Sequence, residues 1–135
     1  MTAPAAHDSL VERVFDASAL LAVFLGEIPR EALDLERAAV SAVNWSEVSQ
    51  KLIQRGLPLP GVREEAGSFG LQVIDFDAER AEAAAALWPA TRSEGLGLGD
   101  RACLALAREL GVPAVTADRA WSRLGIGVEV VVVRG

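Results

Sequence analysis

The stretch DRACLALARELGVPAVTAD, residues 100–118, decides the fold of this chain. Its first part, DRACLALARELG (100–111), is an apolar helical run that stops at Gly111, where a glycine C-cap ends a helix without steric strain. Val112 alone separates that glycine from PAVTA (113–117), a short apolar run suited to a strand covered on both faces. An acid, Asp118, follows the strand directly. A helix passed straight to a strand is the repeating step of a parallel α/β sheet.

Working outward, the alternation continues. VERVF (11–15), AVSAV (39–43), LQVIDF (71–76) and VEVVVV (128–133) read as further strands. SALLAVFL (18–25), NWSEVSQKLIQRG (44–56), LPGVREEAGSFG (59–70) and DAERAEAAAALWPATR (77–92) read as helices, the last with Asp77 as N-cap. The expected fold is a three-layer α/β/α sandwich around a mainly parallel five-stranded sheet. VEVVVV is expected to be buried, because an exposed strand of that composition invites edge pairing.

A length of 135 residues suits one domain. Residues 11–135 are assigned to it, and 1–10 to a flexible tail holding the one histidine, His7. No apolar run approaches the ~18 residues of a membrane span. The single cysteine, Cys103, excludes an intrachain disulfide and a Cys/His zinc site, and points to a reducing, cytoplasmic setting. A net charge of −6 argues against binding nucleic acid through bulk charge. It leaves room for a local basic groove, since the cations are arginines apart from Lys51.

Four acids stand out by location. Asp16 follows the first strand and Asp118 the fourth. Glu47 lies in the first turn of the helix after the second strand, and Asp100 opens the helix after the glycine ladder GLGLG (95–99). Singly, each has an ordinary explanation as a helix cap, an i,i+4 partner of Lys51 or a turn residue. A parallel sheet, however, brings strand C-terminal ends to one edge, where ligand sites form. Like charges gathered there repel by ~4 kcal/mol at ~4 Å and an effective dielectric of 20, a penalty that a divalent cation removes. Oxygen-only donors suit Mg²⁺ or Mn²⁺, and such a site fits phosphodiester hydrolysis. The ladder itself lacks the GK[ST] ending of a P-loop and the spacing of a dinucleotide site. Its expected use is to set Asp100 at the mouth of the helix.

VFDASALLAVFLGE, AVSAVNWSEVSQKLIQRG, LGDRACLALARELGVPAVTADRAW and GVEVVVVR together resemble the PIN-domain ribonucleases, specifically the VapC toxins of toxin–antitoxin pairs. The resemblance runs from Val11 to Arg134. It implies an acidic pocket that binds Mg²⁺ or Mn²⁺ and cuts single-stranded or looped RNA, leaving a 5′-phosphate and a 3′-hydroxyl. Residue by residue it implies Asp16, Glu47, Asp100 and Asp118 as the catalytic acids. Asp16, Asp100 and Asp118 would take the metal, Glu47 would position water, and Ser18 and Thr116 would support them. It also implies a small antitoxin whose C-terminal segment blocks the pocket, and a homodimer. This chain departs from many relatives at Gly97, where they carry serine, and at Trp121, where some carry a further acid.

Lys51 and Arg55 lie on the helix face of Glu47, as an RNA path or as a solvated surface. Arg101 and Arg119 each follow a candidate acid, to contact phosphate or to screen the carboxylates. Trp45, Trp88 and Trp121 suit core or interface better than base stacking. Two other enzyme classes place an Asp after a first strand. HAD-type phosphatases need a second Asp where this chain has Ser18, and receiver domains need a later lysine where none exists. The remaining alternative is a PIN-like fold that binds RNA or protein without cleaving it.

Overall fold

Five strands pair in parallel in the order β3-β2-β1-β4-β5: β1 (Arg13–Phe15), β2 (Ala38–Ser41), β3 (Gln72–Ile74), β4 (Ala114–Thr116) and β5 (Val130–Val132). The computed structural model describes residues 11–29 and 34–133; the tail assignment of 1–10, with His7, lies outside the described residues. The helices are α1 (Ala17–Phe24), α2 (Ala42–Gln54), α3 (Val62–Ser68), α4 (Ala78–Ala86), the single turn α5 (Trp88–Thr91) and α6 (Leu98–Leu110). Short 3₁₀ turns follow at Arg92–Glu94 and Arg119–Arg123.

Strand side chains alternate between two cores, as a pleated strand requires. Val14, Ala39, Ile74 and Ala114 face a layer built from α4 and α6 through Ala84, Cys103, Leu104 and Ala107. Phe15, Ala38, Val40 and Val115 face α1, α2 and α3 through Leu20, Val23, Val48, Leu52 and Ala66. The expected three-layer arrangement is therefore present, and every strand pair is parallel.

Several boundaries differ from the expected ones for identifiable reasons. Residues 42 and 43 are helical rather than extended, because the Ser41 side chain accepts the Val43 N–H and starts α2 there. The expected 77–92 helix breaks at Leu87, since Pro89 in the next turn has no N–H and crowds the preceding turn. Asp100 does not open α6: Gly97 is the N-cap and Asp100 the third helical residue, so the helix starts two residues earlier than expected. Gly111 ends α6 in the left-handed region, as its position suggests. The burial expected for VEVVVV also fails. β5 is an edge strand whose middle residue, Val131, is 39% exposed, because no strand lies beyond it among the described residues. Trp121 is fully buried and Trp45 packs edge-to-face on Phe24, but Trp88 is exposed with the Arg92 guanidinium over its ring.

The chain order reverses at β1: β2 and β3 lie on one side, β4 and β5 on the other. The carboxyl ends of β1 and β4 thus flank a topological switch point, where open α/β sheets place their ligand crevice.

Candidate acidic active site

Asp16 sits at that switch point. It is the N-cap of α1, and its Oδ1 accepts the Ala19 N–H at 2.9 Å. Ser18 Oγ lies 2.8 and 2.9 Å from the two carboxylate oxygens, and Thr116 Oγ1 donates to Oδ2 at 2.6 Å. The two hydroxyls also accept backbone N–H groups of the β4 turn, Ser18 from Ala117 and Thr116 from Asp118, both at 3.0 Å. This network ties the end of β1 to the end of β4. Asp16 is nevertheless only 4% exposed, and burial pushes its carboxyl up to about 6. The three hydrogen-bond donors oppose that rise, while the Asp100 charge adds to it.

Asp118 is exposed and caps the 3₁₀ turn that follows, its Oδ1 accepting the Ala120 N–H. Asp100 reaches back one turn to accept the Gly97 N–H at 3.2 Å, so a backbone group at position 97 supplies a contact to this acid. Partial burial raises the Asp100 carboxyl; the Gly97 bond opposes this, and the charge of Asp118 reinforces it. Glu47, on the first turns of α2, accepts from Asn44 Nδ2 at 3.1 Å, and the same amide donates to the Gly99 carbonyl at 3.0 Å.

The four acids line one cavity of about 270 Å³, together with Ser18, Leu21, Asn44 and Lys51. Four separate elements deliver the carboxylates, and this convergence is what their spacing in the chain conceals. Of the expected cations, Lys51 alone lines the cavity. Arg55 and Arg119 are exposed and do not line it. The Arg101 guanidinium turns to the Ala84 carbonyl on α4, with its Nε buried and unpartnered among the described residues. Sequence reasoning alone misses Asn44. Its signal is a place three positions before Glu47 on one helix face, but an asparagine inside a helix carries no chemistry until its partners are known.

Cys103 lies beneath the site. Burial first, and then the neighbouring acidic charges, push its thiol well up, which leaves it an inert part of the core.

The donor set is carboxylate oxygen, with no histidine or thiol in the cavity lining. That chemistry fits Mg²⁺ or Mn²⁺, which take one or two protein carboxylates directly and reach the rest through water. Among the described residues no three acidic, histidine or cysteine side chains stand close enough to ligate one ion together. The acids nevertheless feel one another: the charge of Asp100 helps to raise the Asp16 carboxyl, and that of Asp118 the Asp100 carboxyl.

A second cavity, about 260 Å³ and mostly apolar, lies between α1, α2 and α3. It is lined by Val23, Phe24, Leu52, Leu57, Val62 and Phe69, and offers no carboxylate cluster. No described helix is long and apolar enough to cross a membrane.

Comparison with known structures finds the same architecture. A chain of a toxin–antitoxin complex from Klebsiella pneumoniae superposes with a TM-score of 0.63 at 22% identity, over 87% of this chain and 95% of that one. A chain of DNA-bound VapBC from Salmonella typhimurium gives 0.68 at 19% identity, over 89% and 96%. The Mycobacterium tuberculosis toxin VapC20, which cleaves the sarcin–ricin loop, gives 0.64 at 18%, over 87% and 99%. At these identities the likeness is one of fold. No curated protein sequence matches the chain. The PIN domain family matches residues 13–127, from the first strand to the turn before the last, and the protein belongs to that family.

Proposed function

We propose that this protein is a divalent-metal-dependent endoribonuclease toxin of the VapC type, neutralised by a cognate antitoxin. The observation that carries the proposal is the convergence of Asp16, Glu47, Asp100 and Asp118 on one cavity at the switch point of a PIN fold. The kinship of fold with chains of toxin–antitoxin complexes, and with a toxin that cleaves an RNA loop, supports the biological role.

Asp16 and Asp100 would hold Mg²⁺ or Mn²⁺, with Asp118 on the same ion or a second one. When bound, the cation acidifies water and polarises a phosphoryl oxygen. Ser18 and Thr116 keep the Asp16 carboxylate aimed and ionisable through their hydroxyls. Glu47 orients the attacking water by accepting its proton in a hydrogen bond. Lys51, at the rim of the same cavity, offers its ammonium to the RNA phosphate.

The antitoxin finds a seat in the apolar groove between α1, α2 and α3, where Leu57 and Phe69 are 43% and 41% exposed. Two of the groove's helices, α1 and α2, also wall the acidic cavity through Leu21, Glu47 and Lys51, so a segment lying there reaches the mouth of the site. The protein is further proposed to work as a homodimer, which light scattering of the purified chain tests.

The activity is tested with purified protein, structured RNAs and Mn²⁺ or Mg²⁺. Cleavage is expected with metal, to stop with EDTA or antitoxin, and to fall by ~10³-fold in Asp16→Asn and Asp100→Asn. Metal-independent cleavage, or full activity in those variants, sinks the assignment. RNA retention without turnover would identify a binding module instead.

A further inference from the structure

The third glycine of the ladder, Gly99, has a use that neither its backbone conformation nor its place before Asp100 explains. A Cβ at Gly99 would overlap the Glu47 carboxylate, both oxygens and the carboxyl carbon included. Gly97, by contrast, faces open space, as does Gly95. Gly99 is buried near the start of α6, so the Glu47 carboxylate rests directly on that helix's backbone. The second constraint is Asn44, which is 1% exposed and lines the same cavity. Its Nδ2 donates both to Glu47 Oε1 and to the Gly99 carbonyl, and since both partners can only accept, the amide's orientation is set. Its Oδ1 takes no partner among the described residues, so the side chain bonds through its amino group alone. Glu47 itself is exposed, and a free glutamate on a helix surface would sample many rotamers.

We propose that Asn44 and Gly99 are positioning residues that together fix the Glu47 carboxylate in the acidic cavity, Asn44 by holding it and Gly99 by leaving it room. The kinetic consequence rests on the ribonuclease reading above; the geometric one does not. Asn44 ties α2 to α6 through Gly99, so the acid that orients water, on α2, is held at a set distance from Asp100, the residue after Gly99 on α6.

The test uses the full chain and the variants Asn44→Ala, Asn44→Asp, Gly99→Ala, Glu47→Gln and Asn44→Ala/Glu47→Gln. With saturating Mn²⁺, Asn44→Ala and Gly99→Ala lower kcat by ~10–100-fold and leave the RNA KM within about twofold, because misplacement of a reacting group by ~1 Å has that effect. Asn44→Asp, the same size without the amide donors and with a like charge beside Glu47, loses at least as much as Asn44→Ala. In the Glu47→Gln background the added Asn44→Ala loses less than about twofold, as expected when both changes act through one group. Gly99→Ala does not lower the melting temperature, since alanine is the better helix former and the glutamate can swing aside. Crystal structures of Asn44→Ala and Gly99→Ala then show the Glu47 carboxylate displaced from its seat. Equal losses in both backgrounds, or a carboxylate that keeps its place in both variants, overturns the proposal. If the wild-type chain cleaves no RNA, the ribonuclease reading fails by itself and the crystallographic comparison still decides this one.

Discussion

On one wall of the acidic cavity Asp16 is 4% exposed and accepts hydrogen bonds from three groups, the Ala19 N–H and the hydroxyls of Ser18 and Thr116. On another wall Glu47 is exposed and is held by one amide and a bare glycine surface. The first carboxylate is built into the junction of two strands, so its charge is penalised by burial and its donors are part of the fold. The second is added to a helix surface, where its charge remains in contact with solvent. Chemistry and stability are therefore entangled at Asp16 and separable at Glu47. The same substitution, acid to amide, must have different consequences on the two walls.

The largest effect is expected for Asp16→Asn in metal-free buffer. Burial raises the folded-state carboxyl to about 6 from an ordinary 3.8, so the neutral form is the one that folding favours. That contribution to stability is fully present below the unfolded value and is lost as pH rises through about 6. Above that pH the ionised wild-type group destabilises the fold by roughly 3 kcal/mol. Asp16→Asn should thus gain stability on the wild type at pH 8 in metal-free buffer while losing cleavage once Mn²⁺ is supplied, and the gain in stability should vanish toward pH 4. Glu47→Gln should lose cleavage with stability within about 0.5 kcal/mol at both pH values. Chemical denaturation at pH 4 and pH 8 measures both. An Asp16→Asn protein less stable than wild type at pH 8 would break the contrast between the walls.

A smaller effect sharpens how Asp16 is held. Thr116 is fully buried, donates the shortest of the three hydrogen bonds, and accepts the Asp118 N–H. Thr116→Val keeps the volume and removes both. It should destabilise the protein by about 1–3 kcal/mol at pH 8, the range for stripping partners from buried polar groups. The Asp16 carboxyl should rise further, since the Thr116 hydroxyl does more than the other two donors to hold it down. Thr116→Ser should restore the wild-type pH dependence. If Val and Ser variants titrate alike, the hydroxyl is not what keeps Asp16 ionisable.

Much of this site was legible before the structure, because its backbone part follows from alternation. Once the strands alternate with helices, right-handed parallel connections must bring Asp16 and Asp118 to one edge. Gly111 as a helix end and Asp77 as an N-cap are local effects, and both are present. Part of what escaped is local or topological: Pro89 divides a helix whose composition is otherwise continuous, and β5 is an edge strand despite its valines. The rest was set by side-chain contact across elements. The glycine ladder was legible as a mount for Asp100 but not as a seat for Glu47, because that depends on two helices meeting at Gly99. Of the two uses expected for Arg101, screening is visible, since its charge lowers the Asp100 carboxyl, while its guanidinium turns to the Ala84 carbonyl. Adjacency to Asp100 in the chain says nothing about direction on a helix, where successive side chains point ~100° apart.

Arg101 and Lys51, one on each helix that meets there, yield the smallest expected effect and the most selective one. Both are cations close to a candidate catalytic acid. Lys51 is exposed one turn beyond Glu47 and lines the cavity. Arg101 sends its guanidinium to the Ala84 carbonyl between α4 and α6. A surface ammonium that meets one phosphate adds a salt-dependent, sequence-independent increment to binding. Lys51→Gln should raise the RNA KM several-fold, with kcat nearly unchanged, and reduce the slope of log affinity against log salt by about one. Arg101→Met should leave the KM within about twofold and act on stability instead, since its packing is helix to helix. Measuring KM at several salt concentrations separates the two. An Arg101 variant with the weaker binding and the shallower salt slope would place the RNA path along α6, and would move Lys51 to the solvated face of α2.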